Sequence, residues 1–299
     1  MIDKPDIYRD FYDLLSQIPQ GRVSTYGDIA LQLGDIVASR AVGEMLSENE
    51  DPDVFPCYRV IMSDGTLGGY TDPKGIKEKI RRLRRDGIRI SNGKVENLER
   101  IRFRDFKSSF PLRRFREESN KVDIDKKLDF SDGLRALDIS YEGRIGIGVA
   151  VDFQNGINFE VTVKEVKSPY IPNYLYLREG EIYESLVRGE MINVIDGNGL
   201  IHRDGRGVAT LVGTSKNVPT VGLAKSLLLG EERGNGIYLG KKKIGEREGK
   251  YYISKGFGIE LRECVKALTK ETHFPQTKYP DRLSKRYRDE ILPAQHSLR

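Results

Sequence analysis

The sequence predicts two domains of different fold class: a small, mainly helical domain of the winged-helix or helix-turn-helix type, followed by an α/β domain. Its 299 residues are long enough for two hydrophobic cores. Helical patterns fill the first hundred residues, whereas β-branched and alternating apolar residues dominate after about residue 130. Between them lies a strongly charged stretch with little core-forming pattern. We therefore place the junction near residue 105, which gives domains 1–105 and 106–299.

The first domain contains two short helical patterns separated by a turn at Gly34. Ser24 or Thr25 can cap the first helix of this pair, and Ser39 can cap the second. Two helices joined in this way form a helix-turn-helix. The expected helices of this region are Tyr8–Gln17, Tyr26–Leu33 and Ser39–Leu46.

A basic helix follows, on which Ile76, Ile80 and Leu83 are expected to face the core. A nucleic-acid surface and a solvated helix face are equally good interpretations of its positive charge. Its basic residues are Lys77, Lys79, Arg81, Arg82, Arg84 and Arg85.

The second domain begins with three segments that have the composition of strands, LRALDISY, GIGVAVDF and INFEVTVKEV, separated by turns that contain glycine. They predict an antiparallel meander. Helical and strand patterns then alternate, and MINVIDG and VPTVGLA are short apolar runs suited to buried parallel strands. A mixed α/β fold is the expected result.

Composition and charge exclude several classes of protein. Hydrophobic residues make up 38% of the chain, and no apolar run approaches the roughly 20 residues of a membrane helix. The N-terminus lacks the apolar core of a signal peptide, so we expect a cytoplasmic protein without a membrane partner. Cys57 and Cys264 lie in different halves of the chain, which argues against a disulfide framework or a cysteine-based zinc site.

Positive charge is concentrated in the second half of the chain. The net charge is +5, although residues 1–100 carry 15 Lys and Arg against 17 Asp and Glu. A basic excess of this kind fits a polyanionic partner but does not by itself establish one.

Three acids of the second domain could meet at one edge of the sheet. Asp138 closes LRAL, Asp196 closes MINVI, and Glu179 lies in the polar LREGE segment. Three carboxylates that meet can hold one or two Mg²⁺ ions, which orient water and stabilise phosphate charge during phosphodiester cleavage. Taken singly, an aspartate at the end of a strand is more often a turn or cap residue.

The PYIP segment has a physical logic of its own. Two prolines, the second of them Pro172, fix its backbone and would present Tyr170 and Ile171 as a rigid apolar wedge. Such a wedge can enter a base stack, and unstacking costs least where a base is already mispaired. An ordinary proline turn is the alternative.

The segments LDISY, PYIPNYLYLREGE, IDGNGLIHRDGRGVATLVG and VPTVGLAKS occur in the order seen in the endonuclease V family, which residues 110–290 resemble. The resemblance implies a ribonuclease H-like fold and a Mg²⁺ site, which Mn²⁺ could also fill. It implies that His202 assists the scissile group or the metal-bound water, and that Lys225 neutralises phosphate charge. The implied metal ligands are Asp138, Glu179 and Asp196.

The same resemblance implies the substrate. A deaminated base, hypoxanthine in deoxyinosine, would be flipped into a pocket near Leu175, Gly197 and Gly199, and a nearby phosphodiester on the 3′ side would be cut. Two departures are visible. Asn173 stands where relatives usually have glycine, which could alter the base pocket, and a family histidine near the C-terminus is absent from the matching stretch PDRLSKRYR. His273 lies close by but out of register.

Cys57 lies in FPCYRVI, and an isolated intracellular cysteine is usually a buried small hydrophobe. Here the segments GRVSTYGDIA, ASRAVGEML, PCYRVI and DGTLGGY, followed by the basic helix, resemble the DNA-binding domain of O6-alkylguanine-DNA alkyltransferases. The resemblance runs from about Tyr8 to Ile90. It implies that the thiolate of Cys57 accepts the alkyl group from guanine O6 in a single irreversible turnover.

The alkyltransferase resemblance also implies roles for residues around the thiol. Arg40 would enter the base stack in place of the flipped base, Tyr26 would crowd the 3′ phosphate, and Asn49 would act as a hinge. The implied pocket loop contains Gly68, Gly69 and Tyr70. Without the motif, Arg40 and Tyr26 would be taken for exposed helix residues.

One departure concerns the activation of the thiol. The usual PCHRV is PCYRV here, so Tyr58 replaces the histidine that helps to deprotonate the cysteine, and Asp86 stands at the glutamate position of that relay. A phenol, with a reference pKa near 10, is a poorer base than an imidazole near 6.5. Activation could be slower, or could depend on Tyr58 and Asp86 acting together.

The leading hypothesis is therefore a monomeric bifunctional DNA-repair enzyme that acts on alkylated guanine and deoxyinosine. Two alternatives stay open. The first domain could sense alkylated guanine without transferring the group, or the nuclease could act on RNA that contains inosine. The DNA type of helix-turn-helix favours DNA.

Overall fold

The chain divides into two units, each with its own core. In this computed structural model, residues 2–107, 110–131, 133–153, 158–270 and 273–291 are described. The first unit contains Asp3–Glu117 together with Ser168–Pro172. The second contains Glu118–Lys167 and Asn173–Arg299, together with Met1–Ile2. Two units of different fold class confirm the predicted organisation, whereas the junction near residue 105 stays a prediction.

The first unit is mainly helical, as predicted. Its elements are α1 (Ile7–Ser16), β1 (Ser24–Thr25), α2 (Tyr26–Leu33), α3 (Ser39–Ser47), β2 (Val60–Ile61), α4 (Ile76–Arg85), β3 (Ile90–Ser91), β4 (Lys94–Val95), α5 (Leu98–Ile101) and α6 (Pro111–Asn120), whose last residues belong to the second unit. Two 3₁₀ turns, Ile36–Ala38 and Cys57–Arg59, precede α3 and β2. β1 pairs with β2 in parallel, and β3 pairs with β4 antiparallel.

Local side-chain bonds set the ends of α2. Thr25 caps its N-terminus in a capping box with Asp28, and each side chain bonds to the backbone N–H of the other residue. Gly34 ends the helix in the left-handed region, at a φ of 109°, which glycine adopts without strain. The predicted turn between α2 and α3 is confirmed.

The start of α3 differs from the prediction. Ser39 is the first residue of the helix and not its cap, because the 3₁₀ turn Ile36–Ala38 leads directly into α3. Asp35 caps that turn through its bond to the N–H of Val37, and the Ser39 hydroxyl donates to the carbonyl of Ile36.

The basic helix α4 also differs from the prediction. Leu83 is fully buried as expected, whereas Ile76 is 41% exposed. Lys79, expected on the charged face, is only 1% exposed. The helix is therefore rotated so that one cation points inward with Leu83. That core also contains Val23, Tyr58, Ile61, Leu67, Ile88 and Val95.

The second unit is built on one mixed sheet of nine strands. Its elements are β5 (Leu134–Glu142), β6 (Ile145–Asp152), β7 (Asn158–Glu165), α7 (Leu175–Leu186), β8 (Ile192–Asp196), α8 (Val208–Lys216), β9 (Thr220–Ala224), β10 (Glu231–Arg233), β11 (Gly236–Leu239), β12 (Lys242–Glu248), β13 (Tyr251–Phe257), α9 (Leu261–Lys270) and α10 (Lys278–Arg286), after which Tyr287–Ile291 forms a π-helical turn. The strand order is β10-β11-β12-β13-β9-β8-β5-β6-β7.

The predicted strands are present with the predicted pairing. β5, β6 and β7 form the antiparallel meander; Ile157, the first residue of the predicted third segment, lies outside the described residues. β8 pairs in parallel with both β5 and β9. The antiparallel extension β10–β13 is an addition that was not predicted.

Helices cover both faces of the sheet. The face that carries Leu134, Val194 and Val221 packs against Cys264 and Leu268 of α9. On the opposite face, α7 approaches so closely that a Cβ at Gly146 or Gly148 of β6 would collide with Ile182. Among the described residues, no helix combines the length and the apolar character that crossing a lipid bilayer requires.

Candidate active sites

Strand register brings Asp138 and Asp196 together in the second unit. Leu137 of β5 is paired with Ile195 of β8, so the next residues, Asp138 and Asp196, lie side by side on neighbouring parallel strands. Register partners in parallel strands point to the same face of a sheet. The prediction that Asp138 ends its strand is wrong, because β5 continues to Glu142. Asp138 instead lies where the pairing with β8 ends.

Glu179 comes from α7, on the other face of the sheet, and a tyrosine of β5 holds its carboxylate. The Tyr141 hydroxyl donates to Oε1 of Glu179 at 2.5 Å. The Arg178 guanidinium lies 4.5 Å from the centre of the Tyr141 ring. The sequence pattern did not single out Tyr141, although it lies three residues after Asp138.

A second buried tyrosine connects all three acids. The Tyr183 hydroxyl donates to the Asp196 carbonyl at 3.3 Å and also bonds to Glu179. Burial, followed by the charges of Glu179, Asp138 and Asp196, raises the pKa of Tyr183 well above its usual value. The charges of all three acids therefore act on one phenol.

The acids perturb one another. Burial and then the charge of Asp196 raise the pKa of Asp138 to about 9. Burial raises the pKa of Glu179 to about 7, although the Tyr141 bond lowers it, and Asp196 raises it further. Burial and mutual repulsion disfavour the ionised forms of these acids. A positive charge at this place would therefore stabilise their carboxylates.

Lys225 and Asp281 complete this group. Lys225 donates to Oδ2 of Asp196 at 2.6 Å; burial alone would lower the pKa of Lys225, but this bond and the charge of Asp196 outweigh burial and raise it. Asp281, on α10, forms a hydrogen bond with Asp138. Asp281 lies in PDRLSKRYR, the stretch from which the expected family histidine is absent. Sequence reasoning missed Asp281, although an acid in that stretch could have indicated it.

The chemistry of these residues fits a hard divalent cation, which prefers carboxylate oxygens. Their geometry does not provide a finished site. Among the described residues, no three His, Cys, Asp or Glu side chains lie together in an arrangement that could hold a metal ion. Each acid is bonded to a neighbour instead: Asp196 to Lys225, Glu179 to Tyr141, and Asp138 to Asp281. The predicted Mg²⁺ site therefore stays a prediction.

His202 supports the loop after the PYIP segment. Its Nδ1 accepts the backbone N–H groups of Asp204 and Arg206, which leaves Nε2 as the donor to the carbonyl of Asn173 at 3.0 Å. Asn173 has a φ of 67°, a left-handed conformation that asparagine tolerates better than most residues. Asn173 thus has a backbone conformation that glycine would adopt without strain.

The residues of the predicted wedge differ in how far they are exposed to solvent, and those of the predicted base pocket differ in the space around them. Tyr170 is 49% exposed, whereas Ile171 is buried and Pro172 is half-buried. Leu175 lies beside Gly197. Gly199 has no space for a side chain, because a Cβ there would collide with the Lys255 carbonyl of β13.

The first unit holds a pocket of about 340 Å³ around Cys57. Cys57, 6% exposed, begins a 3₁₀ turn after Pro56. The pocket is lined by Tyr26, Gly43, Leu46, Ser47, Cys57, Gly69, Tyr70, Thr71 and Lys79. Of the predicted residues, the structure brings Tyr26, Gly69 and Tyr70 together with the thiol. Lys79 also lines this pocket, although the charge pattern of the sequence placed it on the charged face of α4.

Two phenols face the thiol. Tyr70 forms a hydrogen bond with Cys57, and burial together with the charge of Cys57 raises the pKa of Tyr70. Burial, then Cys57, also raises the pKa of Tyr26. The Tyr26 hydroxyl lies against Gly68, where a Cβ would be 3.0 Å from it. Both phenols therefore stay protonated and can donate at neutral pH.

The other predicted residues of the first unit lie around this pocket. Asn49 donates to the carbonyl of Phe55 at 2.8 Å, and the Cys57 N–H donates to the same oxygen at 2.7 Å. Asn49 thus closes the loop that delivers the thiol. Arg40 is exposed as the second residue of α3, the second helix of the helix-turn-helix.

Tyr58 and Asp86 form a buried pair behind the thiol. The Tyr58 hydroxyl donates to Oδ2 of Asp86 at 3.2 Å, and Nε of Arg59 donates to the same oxygen at 2.6 Å. Arg59 also donates to the carbonyl of Ile18. The guanidinium groups of Arg59 and Arg82 lie 5.2 and 5.6 Å from the centre of the Tyr58 ring.

Two family profiles match the chain. The profile for the 6-O-methylguanine DNA methyltransferase DNA-binding domain matches residues 6–88, and the Endonuclease V profile matches residues 116–283. A protein of Picrophilus torridus named bifunctional methyltransferase/endonuclease is 44% identical, covering 91% of this chain and 93% of its own length. A protein of the same name from Thermoplasma volcanium is 41% identical and covers 88% and 84%.

Solved structures resemble the second unit. An endonuclease V of Ciona intestinalis, in complex with DNA containing an inosine, matches with a TM-score of 0.50 and 22% identity, covering 59% of this chain and 95% of its own. Human endonuclease V matches with a TM-score of 0.50 and 21% identity, covering 58% and 95%. At this identity the likeness establishes the fold of that unit.

Proposed function

The chain belongs to the endonuclease V family and, along nearly its whole length, to the bifunctional methyltransferase/endonucleases of DNA repair, and we propose which of its residues carry the two reactions. Cys57 accepts the alkyl group of O6-alkylguanine. Asp138, Glu179 and Asp196 cut DNA on the 3′ side of deoxyinosine. The observation that carries the nuclease assignment is the pairing of β5 with β8, which places Asp138 and Asp196 side by side, together with the bonds of Tyr183 to Glu179 and to the Asp196 carbonyl.

The proposed nuclease site combines four acids with the ammonium group of Lys225. Asp138, Glu179 and Asp196 would hold Mg²⁺, or Mn²⁺ in its place, with Asp281 supporting Asp138. When bound, the metal ion would polarise the scissile phosphate and activate water. Lys225 would turn from Asp196 toward the phosphate and neutralise its charge. We propose that this fold is ribonuclease H-like.

His202 has a supporting role in this scheme. Both of its ring nitrogens are bonded to backbone groups, and through Nε2 it holds the carbonyl of Asn173. It would therefore act by fixing the loop between the wedge and α7. Tyr170, the exposed member of the wedge, would enter the base stack, and the deaminated base would be held near Leu175 and Gly197.

In the alkyltransferase, the base is flipped into the pocket of Cys57. Arg40 would fill the gap in the stack, and Tyr26 and Tyr70 would donate hydrogen bonds inside the pocket. The thiolate attacks the alkyl carbon, a carbon–sulfur bond forms, and the carbon–oxygen bond breaks with its electron pair passing to guanine O6. The guanine then takes up a proton from solvent.

Complementary variants test the two assignments. Asp138→Ala should abolish nicking of a duplex containing deoxyinosine while methyl transfer from methylated DNA continues; Cys57→Ala should do the reverse. Asp129→Ala, at an exposed site, and Cys264→Ala, at the other cysteine, serve as matched controls. Loss of both activities in either variant would contradict the assignment of separate sites.

Two narrower assays address the alternatives. If the first unit only senses alkylated guanine, the Cys57 peptide will keep its unmodified mass after incubation with methylated DNA while binding to the lesion persists. If RNA is the nuclease substrate, a ribose inosine strand will be cut faster than the deoxyribose strand. We propose DNA because the chain carries a helix-turn-helix. We also propose that the protein is a monomer located in the cytoplasm.

A further inference from the structure

The Tyr58–Asp86 pair is poorly arranged to accept the proton of the Cys57 thiol. Tyr58 already donates its hydroxyl proton to Asp86, whose Oδ2 also accepts the guanidinium of Arg59 at 2.6 Å. The Arg59 and Asp86 side chains are 14% and 4% exposed, so this ion pair is shielded from water. A proton passed from Cys57 through Tyr58 would end on Asp86 and neutralise the partner of a buried arginine, which is costly.

Lys79 offers a different source of activation. The side chain is 1% exposed, and its Nζ donates to the carbonyls of Val60 at 2.7 Å, Leu67 at 2.5 Å and Gly69 at 3.3 Å. Three acceptors meet at one nitrogen. A neutral amine has only two N–H donors, whereas an ammonium has three and no acceptor. The cradle of carbonyls therefore selects the charged form.

The charge of Lys79 belongs to the thiol pocket. Lys79 and Cys57 line the same 340 Å³ space. Burial lowers the pKa of Lys79 to about 8, and the nearby Cys57 opposes this shift. At pH 7 the ammonium is the predominant form. Its electrostatic partner is therefore the thiol and not a carboxylate.

The other ionisable groups around Cys57 do not supply this charge. Tyr26 from α2 and Tyr70 from the loop before α4 are neutral donors, and Tyr58 bonds to Asp86. Two guanidinium groups also lie near this region, and both are bonded to acids: Arg82 of α4 to Asp53 and Glu78, and Arg59 to Asp86.

We infer that the buried ammonium of Lys79, rather than a proton relay through Tyr58 and Asp86, favours the thiolate of Cys57 and so prepares it for alkyl transfer. An opposite charge in a site of low polarity stabilises the anion without taking its proton. The proton leaves to solvent, which later returns one to the guanine, so the overall reaction balances. Lys79 acts through Cys57 and is a positioning residue. The inference rests on the proposal that Cys57 is the alkyl acceptor.

The test measures the thiol without DNA. The full chain is alkylated with iodoacetamide from pH 5 to 10, and modification of the Cys57 peptide is followed by mass spectrometry. Lys79→Met should raise the pH midpoint by at least about one unit, which lowers the rate at pH 7 about tenfold. Lys77→Met, an exposed lysine on the same helix, should leave the midpoint unchanged. Tyr58→Phe should move it less than Lys79→Met.

Two further measurements keep the test decisive. Lys79→Gln retains two N–H donors without the charge, so it replaces Lys79→Met if that variant does not fold. Thermal unfolding of each variant shows whether it is folded under the conditions of the assay. An unchanged midpoint in folded Lys79→Gln, or a larger shift in Tyr58→Phe, overturns the inference.

The same samples separate this inference from the proposed function. Each is also incubated with methylated DNA. A thiol whose midpoint depends on Lys79, but which gains no methyl group from DNA, would contradict the transfer proposal and leave the role of Lys79 intact.

Discussion

The Tyr141 hydroxyl donates a 2.5 Å hydrogen bond to Oε1 of Glu179, so a residue of β5 fixes the carboxylate that α7 contributes to the nuclease site. This bond favours the charged carboxylate and partly offsets the burial that raises the pKa of Glu179 to about 7. The balance between the two effects lies close to neutral pH.

Tyr141→Phe should shift the nuclease toward alkaline pH. Without the hydroxyl, the pKa of Glu179 should rise further, so that more of the acid is protonated at pH 7 and binds the metal ion less well. We expect nicking to fall about fivefold at pH 7 if the pKa of Glu179 rises by one unit, and to recover toward pH 9. Nicking rates from pH 6 to 9 check this. Tyr238→Phe, on β11, is the matched control; an equal loss at every pH would contradict the role given to Tyr141.

Asp138→Asn should stabilise the metal-free protein while abolishing nicking. The pKa of Asp138 is raised from 3.8 to about 9 in the folded chain. An acid whose pKa is higher in the folded than in the unfolded state stabilises the fold, and this contribution is fully present at pH values below the unfolded pKa. It is lost as the pH rises toward 9. At pH 8 the variant should melt higher, by about 2 to 4 °C for each kcal/mol recovered.

Thermal unfolding in a chelating buffer at pH 4 and pH 8 measures this effect. The difference between variant and wild type should be larger at pH 8. Asp129→Asn, an exposed substitution, gives the baseline. A variant that melts below the wild type at pH 8 would show that the Asp138 carboxylate is not held at a cost.

Substitutions at Asn173 should follow backbone conformation and not side-chain chemistry. At a φ of 67°, glycine is unstrained, whereas a β-branched residue is an outlier that costs about 1 to 3 kcal/mol. Asn173→Gly should keep the His202 bond to the backbone carbonyl and retain nicking. Asn173→Val should lose stability and cut more slowly. Chemical denaturation and nicking assays on both variants decide this; equal behaviour would exclude the conformational explanation.

Arg40→Ala should separate base flipping from alkyl transfer itself. Arg40 is exposed on α3 and does not line the pocket of Cys57. Transfer from duplex DNA should fall, because unstacking a base costs a few kcal/mol that an inserted side chain offsets. Transfer from the free O6-alkylguanine base should be unchanged. Rates with both substrates check this, with Arg9→Ala of α1 as the control for lost charge.

Much of the fold could be predicted from local patterns. Thr25 and Gly34 mark the ends of α2 because capping and left-handed turns depend on neighbouring residues. The strand β5 and its parallel neighbours were visible from their apolar runs. The candidate metal-binding acids and Cys57 came from motifs, and the register of β5 and β8 shows how Asp138 and Asp196 come to lie side by side.

The rest depended on contacts between distant segments. The burial of Lys79 follows from three carbonyls supplied by β2 and the pocket loop, which the charge pattern of α4 does not contain. Asp281 reaches Asp138 across more than a hundred residues of sequence. Ser39 does not act as the predicted helix cap, because a 3₁₀ turn leads directly into α3. Only the packed structure reveals that turn.

The assignment of Cys57 to one unit and the acids to the other has a consequence for the life of each molecule. A thioether on Cys57 is permanent, so the first site is a reagent used once, whereas the acids regenerate after each cut. Because none of the described bonds of Asp138, Glu179 or Asp196 involves Cys57, we expect an alkylated chain to keep its nuclease activity. A cell exposed to alkylating agents would therefore accumulate spent molecules that still nick DNA beside deaminated bases.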